Sequence, residues 1–230
     1  TFIVVVSAVN DAPLFDDVTA VSVDEDAGLS TVSVTGVDAG GGTDESSSQS
    51  VLFAATSSDA TIVPDPSVST SGTTATVVYT PVASASGTVT ITLTATDTGS
   101  GTSPNVNTLT KTFDITVNTI NDAPSFDTVA DQTVDEDTAS VDVSITTVSV
   151  GGGGDESSTQ SVTFSATSSD ATIVPDPTVT GSGDTRTLTY APVADATGVV
   201  TVTLVGDDGG PTQGASDVAT ATQTFTITVD

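Results

Sequence analysis

The sequence contains no cysteine, histidine, methionine or tryptophan, and its only basic residues are Lys111 and Arg186. Without cysteine no disulfide can form. Without histidine the chain lacks the usual general base and the usual transition-metal ligand. The 30 acidic residues give a formal net charge of -28, which repels nucleic acid and anionic membrane surfaces. The natural partners of this chain are therefore cations.

The sequence also lacks a membrane-spanning run, since no apolar stretch approaches the roughly 20 residues that cross a bilayer. Its first residues show no charged-then-apolar signal pattern, and Thr1 stands where an initiator methionine would be. We therefore expect no direct membrane insertion, and we expect the chain to be a processed or excised piece of a longer protein.

Few aromatic residues are present, and this scarcity argues against catalysis. Paired carboxylates such as Asp24 and Asp26 can in principle hydrolyse glycosides. A substrate groove needs aromatic platforms and positioned donors, and the chain has two tyrosines and no tryptophan. We predict that the chain is not an enzyme, and the same shortage disfavours sugar binding.

An internal repeat divides the chain, because most segments recur 111 positions further on. The motif NDAP at Asn10–Pro13 returns at Asn121–Pro124, whereas Phe113 returns one position late at Phe225. The N-terminal TFIVVVS matches the closing strands TFDITVN and TFTITVD of the two repeats, so it is a surplus closing strand. The predicted parts are a closing strand with linker (1–9), repeat 1 (10–117), a linker (118–124) and repeat 2 (125–230).

Alternation of apolar and polar residues predicts strands throughout the chain. In TVTITLTATD, Val89, Ile91 and Leu93 alternate with threonines. No stretch shows helical spacing, and about seven short strands per repeat predict two tandem seven-strand Greek-key β-sandwiches of immunoglobulin-like type, an all-β fold. The other strand-like runs are 20–23, 31–36, 50–56, 75–79, 112–117 and 201–206.

Several motifs resemble those of a known family. The segment Thr94–Phe126 looks like the end of a cadherin repeat, which reads A-x-D-x-G, a closing strand, then D-x-N-D-N-A-P-x-F. The VDED at Val134–Asp137 resembles the V-x-E-N of that family. With GGGGDESSTQSVTFSATSSDATIVPDP and YAPVADATG, the chain is similar to the cadherin-like tandem repeats of large bacterial surface and adhesin proteins. This resemblance implies calcium ions bound between consecutive repeats.

The acidic loops favour calcium independently, because this ion takes six to eight oxygen ligands from carboxylates, amide carbonyls and water. In a seven-strand sandwich the A–B loop lies at one end, and the B–C and F–G loops lie at the other. We expect the A–B loop of repeat 1, with Asp24–Asp26, to meet two loops of repeat 2, the B–C loop with Asp155 and Glu156 and the F–G loop with Asp208. The predicted junction ligands are Asp24, Glu25, Asp26, Asn118, Asn121, Asp122, Asp155, Glu156 and Asp208. Their counterparts are Asn10, Asp11, Asp44, Glu45 and Asp97 at the N-terminal end, and Asp135, Glu136 and Asp137 at the C-terminal end.

The linker motif departs from the family pattern. Asn118 matches the first Asp of D-x-N-D-N, Asn121 the second Asp and Asp122 the last Asn. Ile120 stands where the family has a ligating Asn, and the D-R-E triplet of animal adhesion cadherins has no clear counterpart. We therefore expect fewer ions per junction than the full set of the family.

Other loop residues have ordinary structural interpretations. Asp59 and Asp170 are predicted to act only as turn formers. The glycines at 40–42 and 151–154 could cradle an anion, but no lysine or helix start follows them. We expect flexible loops at both places.

These observations predict an extracellular spacer module of a bacterial adhesin or surface protein, with junctions between its repeats that calcium makes rigid. Its partners would be neighbouring repeats or subunits of the same protein, placed end to end. The alternative is a subunit of an extracellular filament that assembles head to tail by donating the apolar strand Thr1–Ser7 to the next subunit.

Overall fold

The structure is a computed structural model that describes residues 2–5, 8–102, 104–211 and 217–230, except for the side chain of Asp155. The chain divides into two compact units, Thr1–Thr119 (unit 1) and Ile120–Asp230 (unit 2). Each unit holds one complete copy of the repeat.

The described residues of unit 1 form seven strands. Strands β1, β7, β6 and β3 form one sheet in that order, and β2, β5 and β4 form the other. The pair β1–β7 is parallel and the remaining pairs are antiparallel. The strands are β1 (Val21–Asp24), β2 (Ser30–Val34), β3 (Val51–Ser57), β4 (Ser67–Ser71), β5 (Thr74–Tyr79), β6 (Gly87–Asp97) and β7 (Thr108–Asn118).

Unit 2 repeats this topology. Its sheets have the orders β10-β13-β14-β8 and β11-β12-β9, and β8 runs parallel to β14. Both units are seven-strand Greek-key β-sandwiches of the cadherin and immunoglobulin-like type, so the predicted fold class is confirmed. The strands are β8 (Gln132–Val134), β9 (Val141–Ile145), β10 (Thr163–Ser168), β11 (Thr178–Thr180), β12 (Arg186–Tyr190), β13 (Gly198–Asp207) and β14 (Thr220–Val229).

The hydrophobic core of each unit lies between its two sheets. In β6, Val89, Ile91 and Leu93 are fully buried, and Thr88 and Thr90, which alternate with them, face solvent. Each buried aliphatic side chain of this size contributes about 1.5–3 kcal/mol to folding. The period-two pattern in the sequence thus corresponds to the inner and outer faces of the sheet.

An aromatic pair closes the core of unit 1. Phe15 and Phe53 pack edge to face with ring centres 5.2 Å apart. The Lys111 ammonium lies 5.2 Å from the centre of the Phe15 ring, and it donates hydrogen bonds to the Phe15 carbonyl (2.7 Å) and to Asp17 (2.6 Å). Lys111 therefore fixes the backbone of the entering segment against β7.

Unit 2 keeps the aromatic pair but places its basic residue elsewhere. Phe126 and Phe164 have ring centres 5.0 Å apart, and Arg186 lies 5.9 Å from the centre of the Phe164 ring. Gln223, the counterpart of Lys111, donates to the Phe126 carbonyl at 3.0 Å. Both basic residues of the chain are thus in contact with an aromatic pair, at positions that are not equivalent.

The glycine-rich loops contain two short helices that the sequence did not indicate. A 3-10 turn spans Gly42–Asp44, and a single helical turn spans Gly154–Ser157. Both lie in the B–C loop of their unit. No helix within the described residues is long and apolar enough to cross a membrane.

The N-terminal segment differs from the expected closing strand. Residues 2–5 form no strand in the part of the chain that is described, and Phe2 and Ile3 are 88% and 87% exposed. The remaining predicted positions Thr1, Val6 and Ser7 lie outside the described residues. Both closing strands, β7 and β14, are supplied within their own unit, so this segment takes the place of neither.

Candidate metal centre

Three distant segments meet at the end of unit 1 where its chain enters, called here the N-terminal pole. The Asn10 amide donates to Asp97 Oδ1 (3.1 Å) and to the Val106 carbonyl (2.7 Å). The Asp11 backbone N–H donates to Glu45 Oε1 at 3.0 Å. The entering segment, the B–C loop and the end of β6 are therefore joined by side-chain hydrogen bonds.

Further residues at this pole were not predicted from the sequence. Gln49 donates to Asn10 Oδ1 at 2.8 Å, and Asn105 Oδ1 accepts from the Asn10 backbone N–H at 2.8 Å. The Gly99 N–H donates to Asp97 Oδ1 at 2.7 Å. One available signal was the repetition of Gln49 at Gln160, within the same loop and four residues after the glutamate.

The N-terminal pole of unit 2 has the same design. Asn121 donates to Asp208 Oδ1 (3.4 Å) and to the Val218 carbonyl (2.9 Å), and it accepts from Gln160 (2.7 Å). The Asp122 N–H donates to Glu156 Oε1 at 2.8 Å. The network is therefore a property of the repeat and not of one copy.

The carboxylates at these poles are buried, and no basic residue lies among their contacts in the described chain. Glu45 and Asp97 are 4% and 3% exposed, and Glu156 and Asp208 are each 3% exposed. A buried carboxylate is costly unless hydrogen bonds or a cation compensate for lost water. Asp97 Oδ2 and Gln49 Oε1 are buried and have no hydrogen-bond partner among the described residues.

An open pocket of about 360 Å³ lies against this network in unit 1. Asn10, Asp44, Glu45, Gln49 and Asn105 line it, so oxygen atoms face it from both loops and from the entering segment. Among the described residues no three carboxylates lie close enough to hold a metal ion by themselves. A cation here would also need amide oxygens, backbone oxygens and water.

Glycine is required where the B–C loop wraps the entering segment. Gly40 has φ +92, and a Cβ there would lie 2.4 Å from the Ala12 carbonyl oxygen. Gly151 has φ +102, and its Cβ would lie 2.6 Å from the Ala123 carbonyl oxygen. The glycine runs thus permit close backbone contact, which the sequence did not reveal.

The acidic turn of unit 1 lies at the opposite pole. The Glu25 N–H donates to the Asn118 carbonyl at 2.8 Å, and the Asn118 amide donates to Asp24 Oδ1 at 3.2 Å. Asp26 has φ 59, and its carboxylate accepts from the Ser84 N–H at 3.0 Å. Asp26 therefore has a structural role in the turn, and Glu25 is buried whereas Asp24 is exposed.

In unit 2 the corresponding turn keeps two of these three bonds, and Asp230 stands where unit 1 has Asn118. The Glu136 N–H donates to the Asp230 carbonyl at 2.9 Å, and Asp137, with φ 63, accepts from the Asp195 N–H at 3.2 Å. Asp135, Glu136 and Asp137 are all exposed. Within each unit, the acidic turn and the carboxylates of the B–C and F–G loops therefore lie at opposite poles.

Two predicted ligands contribute little to the networks described. Asp44 is exposed and lines the pocket, and its carboxylate accepts no hydrogen bond among the described residues. The side chain of Asp155 lies outside the described residues.

Asp59 and Asp170 are turn formers, as predicted. The backbone N–H and hydroxyl of Thr61 both bond Asp59, at 2.9 and 2.6 Å, and these bonds lower the Asp59 pKa.

Comparisons with known proteins found no matching protein-family model and no curated relative. Solved structures similar to the chain include mouse cadherin-23 EC22–24, with 18% identity, TM-score 0.44, and coverage of 96% of this chain and 67% of that chain. The titin domains Z1Z2 in complex with telethonin have 16% identity and a TM-score of 0.36, and the match covers 95% of this chain and 96% of that chain. Domains 4 and 5 of the S-layer protein SbsC have 17% identity and a TM-score of 0.32, and the match covers 77% of this chain and 70% of that chain. At such identities and TM-scores these likenesses say nothing about function.

Proposed function

We propose that the chain is a structural spacer module of an extracellular surface protein of the adhesin type, and that calcium binds at the N-terminal pole of each repeat. The observation that carries this proposal is the duplicated pole itself. Each copy buries a glutamate and an aspartate beside an asparagine, within a chain whose net charge is -28. A cation would offset the cost of burying these carboxylates.

The donors at the pole of unit 1 have the chemistry that calcium requires. Asp97 Oδ2 and Gln49 Oε1 are buried acceptors without a hydrogen-bond partner in the described chain, and Glu45 and Asp44 add carboxylates beside the pocket. Calcium accepts mixed carboxylate, amide and water ligands in flexible geometry. Glu45 already holds the Asp11 N–H, so it would link the ion to the entering segment.

The consequence of such binding would be mechanical and electrostatic. A bound ion would neutralise carboxylates that otherwise repel one another, and it would limit movement between consecutive repeats of an array. Sites with few carboxylates bind calcium weakly, and extracellular modules work at affinities of about 10⁻⁴–10⁻³ M. An extracellular location, where calcium is abundant, suits this composition.

Calcium titration followed by thermal unfolding tests this proposal. Binding to the folded state alone raises the melting temperature, and EDTA should reverse the rise. Magnesium at the same ionic strength controls for screening of the net charge. No rise with millimolar calcium, or an equal rise with magnesium, would contradict a calcium site.

Matched variants locate the ion. Asp97→Asn and Asp208→Asn each remove one buried charge but keep an oxygen acceptor, and Asp114→Asn makes the same change on an exposed strand face. We expect the rise in melting temperature to shrink in each single pole variant, to vanish in the double variant, and to persist in Asp114→Asn. A full rise in the double variant would place calcium elsewhere.

A second candidate function is filament assembly by strand donation, and the exposed N-terminal segment favours it. Val4 and Val5 are 70% and 81% exposed, and Ile3 and Val5 stand where β7 has Asp114 and Thr116. Such a segment is apolar on both faces and lacks a strand partner among the described residues. Deleting residues 1–7 tests the idea: a spacer stays monomeric and folded with or without them, whereas a filament subunit would stop polymerising.

A further inference from the structure

Both units have a groove at the same edge of the sandwich, called here the edge groove. In unit 1 it lies between the edge strand β3 and the β4–β5 hairpin and has a volume of about 560 Å³. Val37, Val51 and Leu52 supply its apolar lining, and Leu52 is 65% exposed. The equivalent groove of unit 2 has a volume of only about 290 Å³.

An arginine side chain occupies part of the groove of unit 2 and so reduces its volume. Arg186 Nη2 donates to the Val162 carbonyl at 2.9 Å, and its Nη1 donates to the carbonyls of Gly183 and Thr185. The guanidinium also lies near the Phe164 ring, at 5.9 Å from its centre. Three carbonyls and one aromatic ring therefore hold the guanidinium in this groove.

In unit 1, no side chain of the described residues fills this space as Arg186 does in unit 2. The residue equivalent to Arg186 is Ala75, which is buried in the core and ends at its Cβ. Each groove has one aspartate in its lining, Asp38 in unit 1 and Asp184 in unit 2. Only the unit 2 groove also has a basic residue, Arg186, so the carboxylate of the larger groove has no cation beside it in the lining.

The matching hydrogen-bond acceptor is present in unit 1. The Thr98 N–H donates to the Ser50 carbonyl at 3.1 Å, and Val51 lies opposite Asp97 in the β3–β6 register. Hydrogen-bonded and non-hydrogen-bonded residues alternate along an antiparallel pair, so the Val51 carbonyl points away from β6 to the open edge. Val51 is the equivalent of Val162, and the half-buried Phe53 is the equivalent of Phe164.

We propose that the edge groove of unit 1 binds the side chain of an arginine residue from a partner protein. The guanidinium would take the place that Arg186 occupies in unit 2, with the Val51 carbonyl as acceptor and Phe53 beneath it. Arginine suits the site better than lysine because its planar fork reaches several carbonyls at once and stacks on a ring. The net charge of the chain would speed the approach of a basic partner.

A second copy of this chain is a poor source for that arginine. Lys111 is held by the Phe15 carbonyl and Asp17, and Arg186 is held in its own groove. These are the only two basic residues of the sequence. The occupant is therefore assigned to a different protein.

Peptide titration of the full chain, followed by amide NMR signals, tests this proposal. The probe is acetyl-Gly-Arg-Gly-amide, and acetyl-Gly-Lys-Gly-amide carries the same charge. We expect shifts at Val51, Leu52 and Phe53 with the arginine peptide, and at least about fivefold weaker binding of the lysine peptide because it lacks the planar fork. Equal amide shifts and equal affinities with the two peptides would mean that only the positive charge matters, and this result would overturn the proposal.

Two reciprocal variants decide where the peptide binds. Ala75→Arg supplies unit 1 with the internal arginine of unit 2, so the shifts at Val51 should disappear. Arg186→Ala empties the groove of unit 2, so a second set of shifts should appear at Val162 and Phe164. Persistence of the Val51 shifts in folded Ala75→Arg overturns the proposal. If that variant fails to fold, the absence of a second site in Arg186→Ala overturns it instead.

Discussion

The side chains of Asn10 and Asp97, 87 positions apart, are joined by a buried hydrogen bond of 3.1 Å. The repeat reproduces it between Asn121 and Asp208 at 3.4 Å. In both units the bond connects the segment that enters the sandwich to the end of the long strand β6 or β13. The asparagine of the NDAP motif is therefore an integral part of the folded unit.

Replacing Asn121 with alanine should destabilise unit 2 strongly. Asn121 is 2% exposed, and its loss leaves Asp208, Gln160 and the Val218 carbonyl without a shared partner. Unsatisfied buried groups of this kind cost about 1–3 kcal/mol. Tyr190 is the only tyrosine of unit 2, so its fluorescence during urea unfolding in a Tyr79→Phe background reports this unit.

The exposed Ser182 of the same unit provides the control for that experiment. Ser182→Ala should change the free energy of unfolding by less than about 0.5 kcal/mol, as most surface substitutions do. An equally small effect of Asn121→Ala would show that the buried network contributes little to stability.

Gly40→Ala should destabilise unit 1, because φ +92 is unfavourable for alanine and its Cβ would lie 2.4 Å from the Ala12 carbonyl oxygen. The strained backbone alone costs about 1–3 kcal/mol. Unfolding of unit 1 can be followed by Tyr79 fluorescence in a Tyr190→Phe background. Gly28→Ala is the control, since nothing lies within 4 Å of a Cβ there. Similar stabilities of the two variants would refute the proposed role of close backbone contact.

Lys111→Gln should leave the fold of unit 1 intact but change the titration of Asp17. The Lys111 hydrogen bond and charge hold the pKa of Asp17 below its ordinary value. Glutamine can keep the bond to the Phe15 carbonyl, as Gln223 does with Phe126, but it removes the charge. Carboxyl NMR titration should show the Asp17 pKa rising toward its ordinary value. An unchanged titration would mean that Lys111 and Asp17 do not interact in solution.

The two turn aspartates should make an acid-sensitive contribution to stability. Hydrogen bonds from Thr61 and Thr172 lower the pKa of Asp59 and Asp170. A group whose pKa is lowered by folding stabilises the protein above its unfolded pKa, and this stabilisation is lost as the pH falls through the lowered value. The double variant Asp59→Ala with Asp170→Ala should therefore have a lower free energy of unfolding than the parent at pH 6. The difference in free energy of unfolding between the two chains should become smaller as the pH falls below the ordinary aspartate pKa of 3.8.

Urea unfolding of the parent and of this double variant, at a series of pH values, measures that difference in free energy of unfolding. The comparison is made between chains because protonating the many other carboxylates also reduces their mutual repulsion. Asp184→Ala serves as the control, since Asp184 is exposed and its carboxylate accepts no hydrogen bond among the described residues. A difference that stays constant from pH 6 to pH 2 would contradict a charge-dependent role of Asp59 and Asp170.

Most strands could be predicted from the sequence because their inner faces are aliphatic and their outer faces are threonine. Strands β4 and β11 were missed, since the serine-rich Ser67–Ser71 and the short Thr178–Thr180 lie at a sheet edge and bury little apolar surface. Alternation also places Arg186 on the inner face of β12 with Leu188 and Tyr190. That pattern was a usable signal for an arginine in contact with the core.

The acidic loops were recognised as candidate ligands, but their existing bonds could not be predicted. Whether a carboxylate binds an ion or a backbone N–H depends on which N–H groups become buried when distant loops meet. Glu45 bonds the Asp11 N–H, and Asp26 bonds the Ser84 N–H, across 34 and 58 positions of the chain. A local pattern gives the chemistry of these side chains but not these long-range partners.

The parallel pairing of β1 with β7 also determines how a unit would bear tension. The chain enters unit 1 beside Val106, just before β7, and reaches the end of β7 at Asn118. Pulling the two ends apart draws β1 and β7 in opposite directions along their length, so the hydrogen bonds between them are loaded in shear and share the force. In both units these bonds reach equivalent positions, since the Glu25 N–H donates to the Asn118 carbonyl at 2.8 Å and the Glu136 N–H donates to the Asp230 carbonyl at 2.9 Å. Under a steady pull, the two units are therefore expected to resist through the same set of bonds.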